Sequence, residues 1–161
     1  MNRLPIYVLD ISVLLSDPEA IYGFSEGEVV LPVSILEALE MLKMELGEKG
    51  RAACLISQML DKCSQYGSLV DGIFLTNGSK LRVDLSNPEK ISIPYDLNLR
   101  NCANSVLAVA WLLSQKNKEV VFVSKNENLR IKAGLIGVKT ISYEGQRKDD
   151  STLFSGITRH E

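Results

Sequence analysis

The sequence predicts an α/β fold, with one mostly parallel central sheet and helices on both faces. Two observations predict it. Short, almost wholly apolar runs recur at Ile6–Leu9 (I-Y-V-L), at 29–31 (V-V-L) and at Val120–Val123 (V-V-F-V), which is how strands buried on both faces read. Segments with apolar residues at helical spacing separate these runs, so strand and helix alternate. The 161 residues suit a single domain with a substantial core, assigned to residues 1–144, followed by a polar linker or tail at 145–161.

The first run ends at Asp10, a polar residue at the carboxyl tip of a buried strand. Asp17-Pro18-Glu19 reads as a helix start, with Asp17 as N-cap and Pro18 in the first helical position. Beyond the strand at 29–31, Ser34 to Glu37 has the S-x-x-E form of a capping box. Ile35, Leu36, Leu39 and Leu42 then carry a helix to about residue 46. Gly47 and Gly50 break the pattern, and a second helix is expected over about 51–66. Residues 67–78 read as a strand between turns, and residues 80–85 alternate like an exposed hairpin strand. Asn87-Pro88 and Ile93-Pro94 mark a loop to Arg100. A strong helix follows over 101–114, burying Val106, Leu107, Val109, Ala110 and Leu113. After Val120–Val123 come a short helix at 126–133, glycines at 134 and 137, and a last strand at 138–142. No internal repeat or low-complexity segment interrupts this order.

Composition excludes several chemistries. The net charge of −2 argues against a strongly basic nucleic-acid binder, while leaving room for a local basic patch. Cys54, Cys63 and Cys102 are odd in number and lack C-x-x-C spacing, so they read as small core residues of a reducing compartment. The single histidine, His160, lies in the tail, which argues against a Ser-His-Asp triad, a histidine zinc site and a histidine general base. No stretch approaches the roughly 18 apolar residues of a membrane span, and the N-terminus lacks the pattern of a signal peptide. A cytoplasmic location is the expectation.

Ligands of parallel sheets bind outside the carboxyl ends of the strands. That rule selects Asp10, the helix start at Ser34 to Glu37, and Lys125-Asn126. A carboxylate closing an apolar strand must be solvated, paired or bound to a cation, because an isolated buried charge is costly. Asp10 therefore either caps the following turn or belongs to a site, and Glu37 either completes a capping box with Ser34 or joins Asp10. Lys125 directly follows the most apolar strand, where a phosphate contact is reasonable. Arg100, Arg130 and Lys132 lie near the same edge, the last two reading more readily as the solvated face of a short helix. Trp111 and the five tyrosines are scattered and form no platform for stacking bases; Trp111 suits a core or an interface.

Five blocks, in order, resemble a known family. Y-V-L-D-I-S-V-L-L-S-D-P-E-A resembles the opening of PIN domains of the type fused to PhoH-like ATPases, and V-V-L-P-V-S-I-L-E-A-L-E-M-L-K their second block. G-E-K-G-R-A-A, then I-P-Y-D-L-N-L-R-N-C-A-N-S-V-L-A-V-A, then V-V-F-V-S-K-N-E-N-L-R-I-K-A-G are similar to the blocks that follow. The likeness runs from about Ile6 to Tyr143. It implies a PIN-like three-layer sandwich and a metal-dependent ribonuclease ancestry, with four acidic residues holding Mg2+ or Mn2+.

Carried over residue by residue, the first acid is Asp10 and the second Glu37; the third falls on Ala103 and the fourth on Asn126, with Ser12 at the polar position of the first block. Two carboxylates neutralise one divalent ion, so at most a single, weakly held Mg2+ or Mn2+ at Asp10 and Glu37 is expected, and the two-ion scheme is out of reach. Losing one electrostatic element commonly costs about 10²–10³-fold in rate. The resemblance thus implies a degenerate site and an RNA-binding or regulatory role with little or no cleavage, Ser12, Lys125 and Arg130 being the candidate nucleic-acid contacts. Two alternatives stand beside it. One is an active single-stranded RNA endoribonuclease recruiting Asp96 or Glu127 as substitute ligand. The other is an oligomerisation module without nucleic acid, in which Met41, Met44 and Leu46 supply the interface of a homo-oligomer. L-F-S-G-I-T in the tail resembles the joint to a PhoH-like ATPase domain, while no G-x-x-x-x-G-K-[ST] phosphate loop occurs in this chain.

Overall fold

The computed structural model describes residues 4–90, 92–117 and 119–144. The expectations for the tail at 145–161, His160 among them, lie outside the described residues. Six strands form one sheet: β1 (Ile6–Leu9), β2 (Glu28–Pro32), β3 (Ile73–Phe74), β4 (Lys80–Asp84), β5 (Val120–Val123) and β6 (Lys139–Ile141). The helices are α1 (Ile11–Ser16), α2 (Val33–Leu42), α3 (Glu48–Ser64), α4 (Cys102–Ser114) and α5 (Glu127–Leu135). The strands lie in the order β3-β4-β2-β1-β5-β6, parallel except for β3, which runs antiparallel to β4. The predicted α/β class with a mostly parallel sheet is the observed one.

The apolar runs form the middle of the sheet because they have no polar face to give to water. Val29, Val30 and Leu31 are all fully buried, as are Val8 and Leu9, so both faces of β1 and β2 are covered. In register, Tyr7 lies beside Val29 and Val121, and Leu9 beside Val123. Helix α4 packs across β1, β2 and β5, α5 packs on β5 and β6, and α2 packs on both α3 and α4. Both edge strands are short, which limits the unpaired backbone they offer to other chains.

Several expectations are corrected. No α-helix starts at Asp17: α1 has already ended there with Asp17 as its C-cap, and only a short 3-10 turn, Ala20–Gly23, follows. Its carboxylate instead accepts a bond from the Glu19 N–H at 3.1 Å and one from the Tyr143 hydroxyl at 2.7 Å, tying this turn to the end of the fold. The helix actually present, Ile11–Ser16, is too short to display a period. Strand β4 is an interior strand and not an exposed one. It alternates because Leu81 and Val83 enter the core, while Arg82 meets Glu28 at 2.7 Å and Asp84 at 3.4 Å. Of the strand read over 67–78, only Ile73–Phe74 pairs; Leu69 and Val70 lie in a turn. Trp111 is half-buried and packs edge-on to Tyr95, with ring centroids 5.8 Å apart.

Gly50 lies inside α3 instead of breaking it. A Cβ there would stand 1.9 Å from the carbonyl oxygen of Glu45, so the close return of α3 against the preceding turn requires a residue without one. Gly50→Ala should destabilise the fold by about 1–3 kcal/mol despite alanine's better helix propensity. Thermal or urea unfolding checks this; an unchanged or raised midpoint would show that the turn yields freely.

Candidate functional site

The order of the parallel strands reverses between β1 and β5, and at such a switch point the connecting loops diverge and open a crevice. Asp10 stands in it, 1% exposed. Its Oδ2 accepts hydrogen bonds from the Ser12 hydroxyl at 2.7 Å and the Ser124 hydroxyl at 3.0 Å. Each hydroxyl in turn accepts a backbone N–H of the turn between β5 and α5, Ser12 from Lys125 at 3.1 Å and Ser124 from Asn126 at 2.9 Å. The carboxylate aligns both serines so that their lone pairs face that turn. Oδ1 is buried with no hydrogen-bond partner among the described residues. The capping role considered for Asp10 is not what it does, since its side chain makes no cap bond to α1.

Helix α2 begins at Val33 after Pro32, with no side-chain cap. The expected capping box is therefore absent: Ser34 already lies within the first turn, and its hydroxyl is buried without a partner among the described residues. Glu37, one turn further on, is exposed. Ser34, Glu37, Arg100 and Cys102 share a groove of about 730 Å3 between α2, the start of α4 and the loop at 85–89, and Ile11, next to Asp10, lines it too. Asp10, below the surface, and Glu37, on it, both lie near Cys102 of this groove, whose thiol feels the charge of each.

The start of α4 is held by Asn101, whose side chain accepts the Asn104 N–H at 3.1 Å. Ala103 is half-buried there and offers no polar atom. Asn104, 7% exposed, donates from Nδ2 to the Asn98 carbonyl at 3.2 Å and accepts the Lys132 ammonium at 3.0 Å. Asn126 is the N-cap of α5, and its Oδ1 accepts the N–H groups of Asn128 at 2.9 Å and Leu129 at 3.2 Å. That amide oxygen is fully engaged, which removes it as a neutral ligand. Arg130 donates from Nη1 to the Ser124 carbonyl at 2.6 Å. Arg130 and Lys132 are therefore anchored at the site edge, and their reading as a merely solvated helix face is corrected.

Sequence reasoning missed Ser124, Cys102 and Asp84. Ser124 is fully buried and follows β5, a position the strand-end rule could have singled out. Cys102 is half-buried at the start of α4, its thiol 3.6 Å from the Ser34 carbonyl. Burial pushes this thiol up, the negative charge of Asp10 pushes it further, the contact with Ser34 pulls it back, and Glu37 adds a smaller upward push. Asp84 is a buried carboxylate at the end of β4, paired with Arg82 and accepting the Ser86 N–H at 2.8 Å.

Residues 7–144 match the family model described as PIN domain. The chain belongs to the PIN-domain family. Among relatives of this PIN domain, the protein PhoH2 of Bacillus subtilis (strain 168) is 35% identical over 158 residues, which is 94% of this chain and 36% of that protein. The protein PhoH2 of Mycolicibacterium smegmatis is 37% identical over 145 residues, 87% of this chain and 32% of the relative. The chain thus spans about a third of the length of these curated relatives. Two solved structures share the fold. A domain of a functionally unknown protein from Methanocaldococcus jannaschii superposes with a TM-score of 0.56 at 12% identity, covering 88% of this chain and 92% of that one. A PilT N-terminus domain protein from Sulfolobus solfataricus P2 gives 0.54 at 13%, covering 97% and 99%.

The PIN family implies Mg2+ or Mn2+, and the residues present can be tested against that. The unpartnered Oδ1 of Asp10 is the kind of atom a cation seeks. The rest of the donor set does not follow: among the described residues, no group of three His, Cys, Asp or Glu comes together in a way that could hold a metal ion. Asp96 and Glu127 are exposed and complete no such group with Asp10 and Glu37. Asp84 is paired, the Asn126 oxygen is engaged, and the Lys132 ammonium bonded to Asn104 already brings positive charge to the start of α4. These residues do not fit a catalytic metal centre.

A raised thiol pKa lowers the thiolate fraction at a given pH, so Cys102 should alkylate more slowly at pH 8 than an unperturbed thiol. Asp10→Asn should speed the reaction without abolishing the retardation, because burial, the larger cause, remains. Peptide mass spectrometry of iodoacetamide-treated protein reads this. Equal rates in the two proteins would show that the charge of Asp10 does not reach the thiol.

Proposed function

We propose that this PIN domain binds single-stranded RNA along the carboxyl edge of its sheet and cleaves it little or not at all. The observation that carries the reading is the pair of anchored cations. The Arg130 guanidinium is held on the Ser124 carbonyl and the Lys132 ammonium on Asn104, both beside a carboxylate set reduced to Asp10 and Glu37. A phosphate backbone needs fixed positive charge at such an edge, and side chains already held in place lose little further entropy on meeting it. Lys125 is exposed at the same edge, with its backbone N–H held by Ser12, and adds a third charge. Ser12 would position this turn and contribute indirectly.

The name PhoH2 carried by the relatives, together with the share of their length that this chain spans, supports a further part of the reading. The domain would present RNA to a PhoH-like ATPase domain and regulate it. An active endoribonuclease that borrows Asp96 or Glu127 is disfavoured, because neither forms a metal-holding group with Asp10 and Glu37.

The test is a mobility and cleavage assay with an end-labelled single-stranded RNA. The chain should retard the RNA in a salt-dependent manner, and Arg130→Glu and Lys125→Glu should each weaken binding and lower the salt slope by about one unit. Added Mn2+ should produce no fragments above background. Mn2+-dependent cutting that vanishes in Asp10→Asn would overturn the low-cleavage reading, and retention unaffected by either charge reversal would overturn the RNA-binding one.

A further inference from the structure

Helix α2 carries two polar groups that the fold leaves unused, and both belong to residues lining one groove. The Ser34 hydroxyl is buried with no hydrogen-bond partner among the described residues. Glu37, on the same helix, and Arg100, just before α4, line the groove too; both are exposed and make no ion pair among the described residues. Residues three apart in a helix share a face, with about 5–6 Å between their Cβ atoms. Ile11, Leu85 and Leu99 give the groove apolar walls, and its volume of about 730 Å3 is that of a site for a small organic ligand.

A carboxylate only accepts hydrogen bonds, so the ligand it selects must offer donors side by side. Guanine presents two adjacent donors, N1–H and N2–H, on its Watson–Crick edge. Adenine and cytosine place a ring-nitrogen acceptor next to their amine, and uracil flanks its one N–H with carbonyls. We propose that the groove holds one guanine nucleotide, with Glu37 accepting N1–H and N2–H, Ser34 donating to O6 and Arg100 meeting the phosphate. Ser34 reaches O6 by a change of rotamer, which leaves no hydrogen bond behind in the protein. Glu37 thereby has a use that needs no metal. A guanine within a single-stranded RNA and a free guanine nucleotide offer the same chemistry. The first source rests on the RNA-binding reading above, and the second does not.

Isothermal titration of the 161-residue chain with guanosine, adenosine, cytidine and uridine 5′-monophosphates tests the assignment. The guanine nucleotide should bind about tenfold more tightly than the others. The inosine nucleotide, which lacks the 2-amino group, should fall between. Glu37→Gln should remove the preference with the thermal midpoint unchanged, because the side chain is exposed. Arg100→Ala should weaken all the monophosphates alike. Mobility shifts of an oligouridine with and without one central guanine separate the two sources. Tighter retention of the guanine-containing strand, lost in Glu37→Gln, assigns the groove to RNA; a preference confined to the monophosphates assigns it to a free nucleotide. Equal or absent binding of the monophosphates together with equal retention of the two strands overturns the proposal, and so does a guanine preference that survives Glu37→Gln. Salt-dependent retention of both strands would then leave the RNA-binding reading standing without it.

Discussion

One buried carboxylate organises this edge of the fold. Asp10 is removed from water between β1 and β5, where an unbalanced negative charge is costly. The two serine hydroxyls that reach its Oδ2 offset part of that cost. Through them the effect is passed on, because a hydroxyl that donates to the carboxylate has its lone pairs free for the N–H groups of Lys125 and Asn126. The turn after β5 is thereby placed, with it the start of α5, and with α5 the Arg130 and Lys132 side chains that meet Ser124 and Asn104. A chain of hydrogen-bonded groups thus runs from a strand end to a half-buried arginine and an exposed lysine.

The polarity of this edge follows from topology as much as from residue choice. All the parallel strands deliver their carboxyl ends to the same side, so Asp10, Asp84 and Ser124 arrive there together. Each is a buried polar group and each is handled differently. Asp84 is paired to Arg82, Ser124 is bonded on both sides, and Asp10 keeps one oxygen unmatched. The unmatched oxygen is the costly atom among them, which is why it singles out this edge better than exposure does.

Much of the fold was legible because its strands are buried on both faces. Ile6–Leu9 and Val120–Val123 have no polar alternation, which is how strands of a parallel sheet covered on both faces read. Short elements were not legible: Ile11–Ser16 completes too few turns to show a period. Local motifs misled where register mattered by one or two residues. The S-x-x-E at Ser34 resembles a cap, yet the helix starts at Val33, so the serine is already inside it. In the site, Asp10 and Glu37 could be named from the chain, but the Ser124 contact joins residues 114 apart and nothing local announces it. The engagement of the Asn126 oxygen by α5 is equally invisible without the helix geometry.

The cap of α5 has a wider consequence. The N–H groups it satisfies ask only for a short side chain with an acceptor oxygen, and a carboxylate serves them as well as an amide. Position 103 in α4 is similarly tolerant of alanine, the residue with the best helix propensity. Neither helix start needs an acid in order to form. The architecture and the charge of its edge are therefore inherited separately, and a lineage could shed or regain negative charge here while every strand and helix stayed where it was.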